Sequence, residues 1–174
     1  MQHRIVKYLN DPILERPAAP VTEFDTPELH AFVESMFETM YASHGVGLAA
    51  PQVGVSQRLT VIDITGGEEG TEPDRIVLIN PEVIAKEGKQ TGEEGCLSIP
   101  GFREPVTRAK RATVRAQNAK GEWFEVSGED LLARALLHEI DHLNGILFLS
   151  HLSMLKRDLI KRKIKKLQKA GEWE

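Results

Sequence analysis

Three absences bound the reading of this sequence. It holds one cysteine, Cys96, so no internal disulfide is possible. It has no apolar run near the roughly 18 residues that cross a bilayer, so no membrane partner is expected. Its opening, MQHRIVKYLN, has neither the apolar core of a signal peptide nor the Arg- and Ser-rich character of a transit peptide, and the expected location is the cytoplasm. Internal repeats and low-complexity stretches are also missing. What remains is a chain of 174 residues, 41% hydrophobic and 28% charged, which suits one soluble globular domain. The net charge of −4 hides an asymmetry: from His151 onward, 8 Lys and Arg stand against 3 Asp and Glu, so an acidic body carries a basic tail.

The pattern along the chain predicts helices at both ends and strands between them. Residues 11–22, DPILERPAAPVT, are proline-rich and expected to run extended over the surface. Thr26 before Pro27 marks a helix start. Leu29, Phe32, Val33, Met36, Phe37 and Met40 carry that helix to Ser43 or His44. RLTVIDI (58–64) and RIVLIN (75–80) are rich in β-branched residues and predict strands around a mobile loop at 65–74. RATVRAQ (111–117), the turn NAKG (118–121) and EWFEVS form a predicted hairpin. Ser127 and Asp130 resemble a capping box opening a later helix, Gly145 closes that helix, and a final helix begins near Leu152. In that final helix Leu152, Leu155, Leu159, Ile164 and Leu167 form an apolar stripe. The expected fold class is α+β, with mostly antiparallel sheets around a central helix, plus an N-terminal and a C-terminal helix. Residues 1–150 form the body and 151–174 a basic amphipathic helix belonging to the same domain.

The central helix poses a chemical problem. LLARALLHEIDHLNG (131–145) is mostly apolar, yet carries His138, Glu139, Asp141 and His142. Burying such groups without partners costs several kcal/mol, on the order of 2–7 each. His138 and His142 are four apart and share a helix face. With Glu139 they spell His-Glu-x-x-His, in which two imidazoles bind a divalent metal and the glutamate handles protons. A catalytic centre usually needs a third protein ligand. Downstream candidates are His151, Asp158, Glu172 and Glu174; Cys96, in EEGCLSIP, is another, since a thiolate is a strong soft ligand. From these residues alone, a zinc peptidase cutting internal bonds and a structural metal site with an RNA-binding arm both stay open.

Three segments in order, GVGLAAPQ (45–52), EGCLS (94–98) and HEIDH (138–142), resemble the signature motifs of the peptide deformylases, of the compact bacterial type. LNDPILERPAAPV resembles their N-terminal segment, and the likeness runs to about residue 150. The resemblance implies an enzyme that removes the formyl group from the formyl-methionine of nascent polypeptides and releases formate. It implies Cys96, His138 and His142 as ligands of one divalent metal, Fe(II) in the cell, with zinc, nickel or cobalt able to take its place. Glu139 would be the general acid and base, with the Gln52 amide and the Leu97 N–H as donors to the formyl oxygen. Gly45, Val46 and Gly47 would lie along the substrate backbone. Leu131, Arg134 and Ala135, opposite Val46, would line the methionine pocket, Arg134 keeping its charge in water. Glu94, Arg108 and Asp141 would support the ligands, Arg108 clamping Asp141, with Ser98 and Arg103 as further supporting or rim residues. A monomer is expected, and the basic tail suggests contact with the ribosome near the exit tunnel.

Overall fold

The computed structural model describes residues 1–174. Thr26 caps as its place before Pro27 predicts: its hydroxyl accepts from the Leu29 N–H at 3.1 Å, and helix α1 spans Pro27–Ala42. The strands are β1 (Gly47–Ala49), β2 (Leu59–Ile62), β3 (Ile76–Glu87), β4 (Gln90–Glu94), β5 (Glu104–Arg108), β6 (Arg111–Gln117) and β7 (Trp123–Glu129). Five form an antiparallel sheet in the order β1-β2-β3-β6-β7, while β4 and β5 pair separately as a hairpin. Helices α2 (Leu131–Leu143) and α3 (Met154–Lys169) complete the chain.

The sheet alternates its side chains between two helices. Leu59, Val61 and Ile79 pack with Met36, Phe37 and Met40 of α1. Their neighbours Ile62 and Leu78, with Val114 and Ala116, pack on Ala135, Leu136 and Ile140 of α2. This is the period-two rule of a strand buried on both faces, and each such side chain contributes about 1.5–3 kcal/mol. The metal-motif helix therefore lies flat against the middle of the sheet, with its histidine face turned toward the β4–β5 hairpin and β1.

A third cluster holds the chain ends together. Tyr8, Leu14, Ile99 and Phe148 pack with Ile160, Ile164 and Trp173. The Trp173 indole N–H donates to the Tyr8 carbonyl at 2.7 Å, and the Asn10 amide donates to the Trp173 carbonyl at 3.0 Å.

Several expectations need correction. Ser127 does not cap α2; it lies in β7, where its hydroxyl meets Thr113 at 2.7 Å, and Asp130 enters the helix at φ 52° with no side-chain cap bond. The continuous β6–β7 ladder overrides the local capping pattern. The helix does end as expected: Gly145 at φ 75° follows Asn144, and Gly145 and Ile146 donate to the carbonyls of His142 and Asp141. The α3 stripe is not uniformly docked: Ile160 and Ile164 are buried, whereas Leu155 is 75% exposed and Leu159 46%. The proline-rich segment contains a short 3-10 turn, Pro12–Glu15, capped by Asp11. One Asp63 oxygen accepts from the Thr65 and Asp74 N–H groups and the Thr65 hydroxyl, joining the two ends of the 65–74 loop.

Candidate metal centre

Helix α2 presents His138 and His142 one turn apart, and Cys96 reaches them from the loop after β4. Cys96 Sγ lies 3.3 Å from His142 Nε2, which lies 3.1 Å from His138 Nε2. The three ligand atoms all fall within 4.8 Å of one another. Ligands around a tetrahedral cation stand about 3.3–3.6 Å apart, given metal bonds of roughly 2.0–2.3 Å. His151, the downstream histidine, is not among them: its Nε2 meets Asp141 at 2.9 Å.

The surroundings orient these ligands. His138 Nδ1 faces Glu94 Oε2 at 2.7 Å, which turns Nε2 toward the site. Glu94 Oε2 also accepts from Arg108 Nη2 at 2.6 Å, and Oε1 accepts from Arg108 Nε at 2.8 Å and Arg134 Nη1 at 2.9 Å. Arg108 then donates to Asp141 at 2.8 Å, so the expected clamp is present and Glu94 is part of it. Arg134 departs from expectation: its charge is not in water but buried against Glu94 and the Val106 carbonyl. A guanidinium inside the protein needs such a partner, and the β4–β5 hairpin supplies it.

The two imidazoles titrate in opposite directions. Burial alone would lower His138, but Cys96, Glu94 and Glu139 outweigh it and hold the imidazole well above its usual value. Burial and the neighbouring His138 hold His142 well below its own. His142 Nδ1 is sealed from solvent with no partner, as is Glu139 Oε1. Buried polar side-chain atoms without a partner are unusual in a native interior, and both of these belong to the His-Glu-x-x-His segment. Three facing donor atoms of the type that divalent metals prefer, one thiol sulfur and two imidazole nitrogens, fit a bound metal ion.

Glu139 is 4% exposed and its Oε2 lies 3.9 Å from His138 Nε2. Burial pushes its carboxyl up to about 7. Gly47 makes room for it: a Cβ there would stand 2.6 Å from Glu139 Oε2. A Cβ on Gly45 would stand 2.7 Å from a Leu97 methyl. A side chain at either glycine would have to displace Leu97 or Glu139. Gln52 is held by its Oε1, which accepts from the Ala49 N–H at 2.9 Å. Its Nε2 points at Ser98 Oγ (3.1 Å) and Cys96 Sγ (3.4 Å). The Leu97 N–H donates to nothing in the chain.

Cys96, His138, Glu139, Gln52 and Gly47 border one cleft of about 680 Å³, lined also by Gly45, Val46, Leu97, Leu131, Arg134 and Ala135. Strand β1 is the outer strand of its sheet and forms one bank. Arg103 stands at the rim, 62% exposed beside Glu93. Missing from the sequence reading were the Arg134–Glu94 pair and the role of Ser98 in holding Gln52.

Glu94 gives a stability prediction. Burial would raise its carboxyl, but Arg108 and His138 outweigh that and hold it well below the usual carboxylate range. A carboxyl lowered on folding stabilises the protein above its unfolded value of about 4.5, and that contribution is lost as pH falls toward the folded value. Glu94→Gln is expected to cost about 3 kcal/mol at pH 7, because it strands buried cations. Urea unfolding should show the gap narrowing steadily below about pH 4.5.

A thiolate and two imidazoles around one ion position, with a buried carboxylate beside an open cleft, define a metal-dependent hydrolase. The chain matches the polypeptide deformylase family model over residues 3–158 and belongs to the peptide deformylase family. It is 61% identical to the peptide deformylase of Acidobacterium capsulatum over 169 residues, 97% of each chain. A peptide deformylase crystal structure from Legionella pneumophila superposes with a TM-score of 0.89 at 46% identity, covering 100% of this chain and 99% of that one. One from Thermus thermophilus gives 0.84 at 40% identity, with 95% of each covered. No helix is long and apolar enough to cross a membrane.

Proposed function

We propose that the protein hydrolyses the N-terminal formyl group of formyl-methionyl nascent polypeptides, releasing formate and a free amine. The observation that carries this is the partnerless Glu139 Oε1, sealed beside three converging ligand atoms at the floor of a cleft. A divalent ion held by Cys96, His138 and His142, Fe(II) in the cell, supplies Lewis acidity and lowers the pKa of water; zinc, nickel and cobalt suit the same donors.

The protein's own groups do the rest. Glu139 takes a proton from the attacking water and passes one to the departing amine. A carboxyl pushed up to about 7 can do both near neutrality. Charge gathers on the formyl oxygen, and the unpartnered Leu97 N–H and the Gln52 amide are donors available to it. Ala49 and Ser98 fix the Gln52 amide in advance. The substrate backbone adds alongside Gly45, Val46 and Gly47 at the sheet edge. Its methionine side chain lies between Val46 and the wall of Leu131, Arg134 and Ala135. The test is formate release by the metal-loaded protein: formyl-Met-Ala-Ser should be deformylated. Cleavage of internal peptide bonds instead would defeat the reading.

The basic face of α3 is proposed to touch ribosomal RNA phosphates. Arg162, Lys163, Lys165, Lys166 and Lys169 are all exposed on it. Removing the tail is a poor test, because Ile164 and Trp173 are core residues. Changing Arg162, Lys163 and Lys166 together to Gln is expected to weaken ribosome co-sedimentation, most strongly at low salt, with formyl-peptide turnover unchanged. Equal affinity of both proteins at low salt would remove this proposal.

A further inference from the structure

A methionine pocket has no evident need of a guanidinium in its wall. Arg134 is 8% exposed, yet borders the cleft between Leu131 and His138. Its known bonds use one nitrogen only: Nη1 donates to Glu94 Oε1 at 2.9 Å and to the Val106 carbonyl at 3.0 Å. Glu94 already takes three hydrogen bonds from Arg108 and His138, so its charge does not depend on Arg134. The remaining N–H groups of Arg134, on Nε and Nη2, have no protein partner. They are not sealed either, since the only sealed partnerless side-chain atoms are on Glu139 and His142. Nη2 points toward Gly92 of β4, where a Cβ would stand 3.5 Å away. Gly92 places no side chain over Nη2, and Arg134 itself is among the residues that line the cleft. Fixed in place by Nη1, the group holds free donors beside the cavity that takes the first side chain.

An apolar pocket rejects a strongly polar group because the group arrives without a hydrogen-bond partner. A thioether sulfur is only a weak acceptor, so a donor in the wall does little for methionine itself. Oxidation of methionine adds a sulfoxide oxygen at the same place along the side chain, and that oxygen is a strong acceptor. We propose that Arg134 is a specificity-determining residue: its free N–H groups let the pocket accept N-formyl-methionine sulfoxide as well as N-formyl-methionine. The proposal rests on the deformylation reading. It assigns the enzyme a second substrate class, nascent chains whose first residue has been oxidised.

The test compares kcat/KM for three tripeptides that differ only in the first residue: formyl-methionine, formyl-methionine sulfoxide and formyl-norleucine. Norleucine has the same shape as methionine and no acceptor. The wild-type protein is expected to process the sulfoxide within about ten-fold of norleucine, since a charge-assisted hydrogen bond offsets the desolvation of the oxygen. Arg134→Leu should lower the sulfoxide-to-norleucine ratio by about ten-fold or more. Arg134→Lys, which keeps the charge but loses the planar fork, should fall between them. A merely structural role would slow all three peptides alike and leave the ratio where it was, which overturns the proposal. So does rejection of the sulfoxide by the wild-type protein by more than about a hundred-fold relative to norleucine, a result that needs no variant to fold. Turnover of formyl-methionine with such rejection defeats this proposal alone, whereas no turnover of formyl-methionine defeats the deformylation reading and this proposal together.

Discussion

Glu139→Gln is expected to lower kcat by about a thousand-fold while the protein keeps one metal ion per chain. The argument begins with what the substitution preserves. Gln has the size of Glu, so the space left by Gly47 is filled as before. The three ligand atoms belong to other residues, and Glu94 still orients His138. What is lost is a buried carboxyl whose proton affinity burial has raised to about 7. An amide can neither take a proton from water nor return one to the amine. KM should change little, because Glu139 serves the reacting atoms and not the side-chain pocket. Parallel measurement of metal content and steady-state turnover checks this. Turnover retained within a few-fold would remove Glu139 from the proton pathway, and loss of metal would make it a structural residue.

Cys96→Ala should abolish both metal and turnover. The thiolate is the one soft, charged donor in the set, and its loss leaves two neutral imidazoles on a single helix turn. Two ligands hold a divalent ion far less tightly than three, and the remaining partner groups cannot substitute. Glu94 is fully committed to Arg108, Arg134 and His138, and His151 is held away by Asp141. The fold should survive, because Cys96 only packs against the edge of a cluster whose centre is Phe148, Ile99 and Leu14. Metal analysis after gel filtration, with circular dichroism on the same sample, separates the two effects. A folded Cys96→Ala protein that retained a full metal complement would contradict the ligand assignment.

How much of this was legible in the sequence depended on how local the cause was. The α1 start followed from Thr26 and Pro27, and β6 from the alternation of Ala112, Val114 and Ala116, because caps and strand periodicity act within a few residues. The pairing of His138 and His142 was equally local, a matter of helix geometry. Cys96 was not: nothing in its own neighbourhood places a thiol against a helix far along the chain, and only the resemblance of three motifs singled it out. The β4–β5 hairpin went unread because Gly92 and Pro105 weaken the strand signal of its two halves. That omission had a consequence at the site. Without the hairpin there is no Glu94 beneath α2, and Arg134 reads as a wall residue with a hydrated head. Ser127 misled in the other direction, since its capping pattern is real but the β6–β7 ladder claims the residue first.

X-ray absorption at the metal edge of the loaded protein tests the central claim most directly. The account predicts one sulfur neighbour at about 2.3 Å and two imidazole nitrogens at roughly 2.0–2.1 Å. A shell of nitrogen and oxygen alone, with no sulfur, would contradict it.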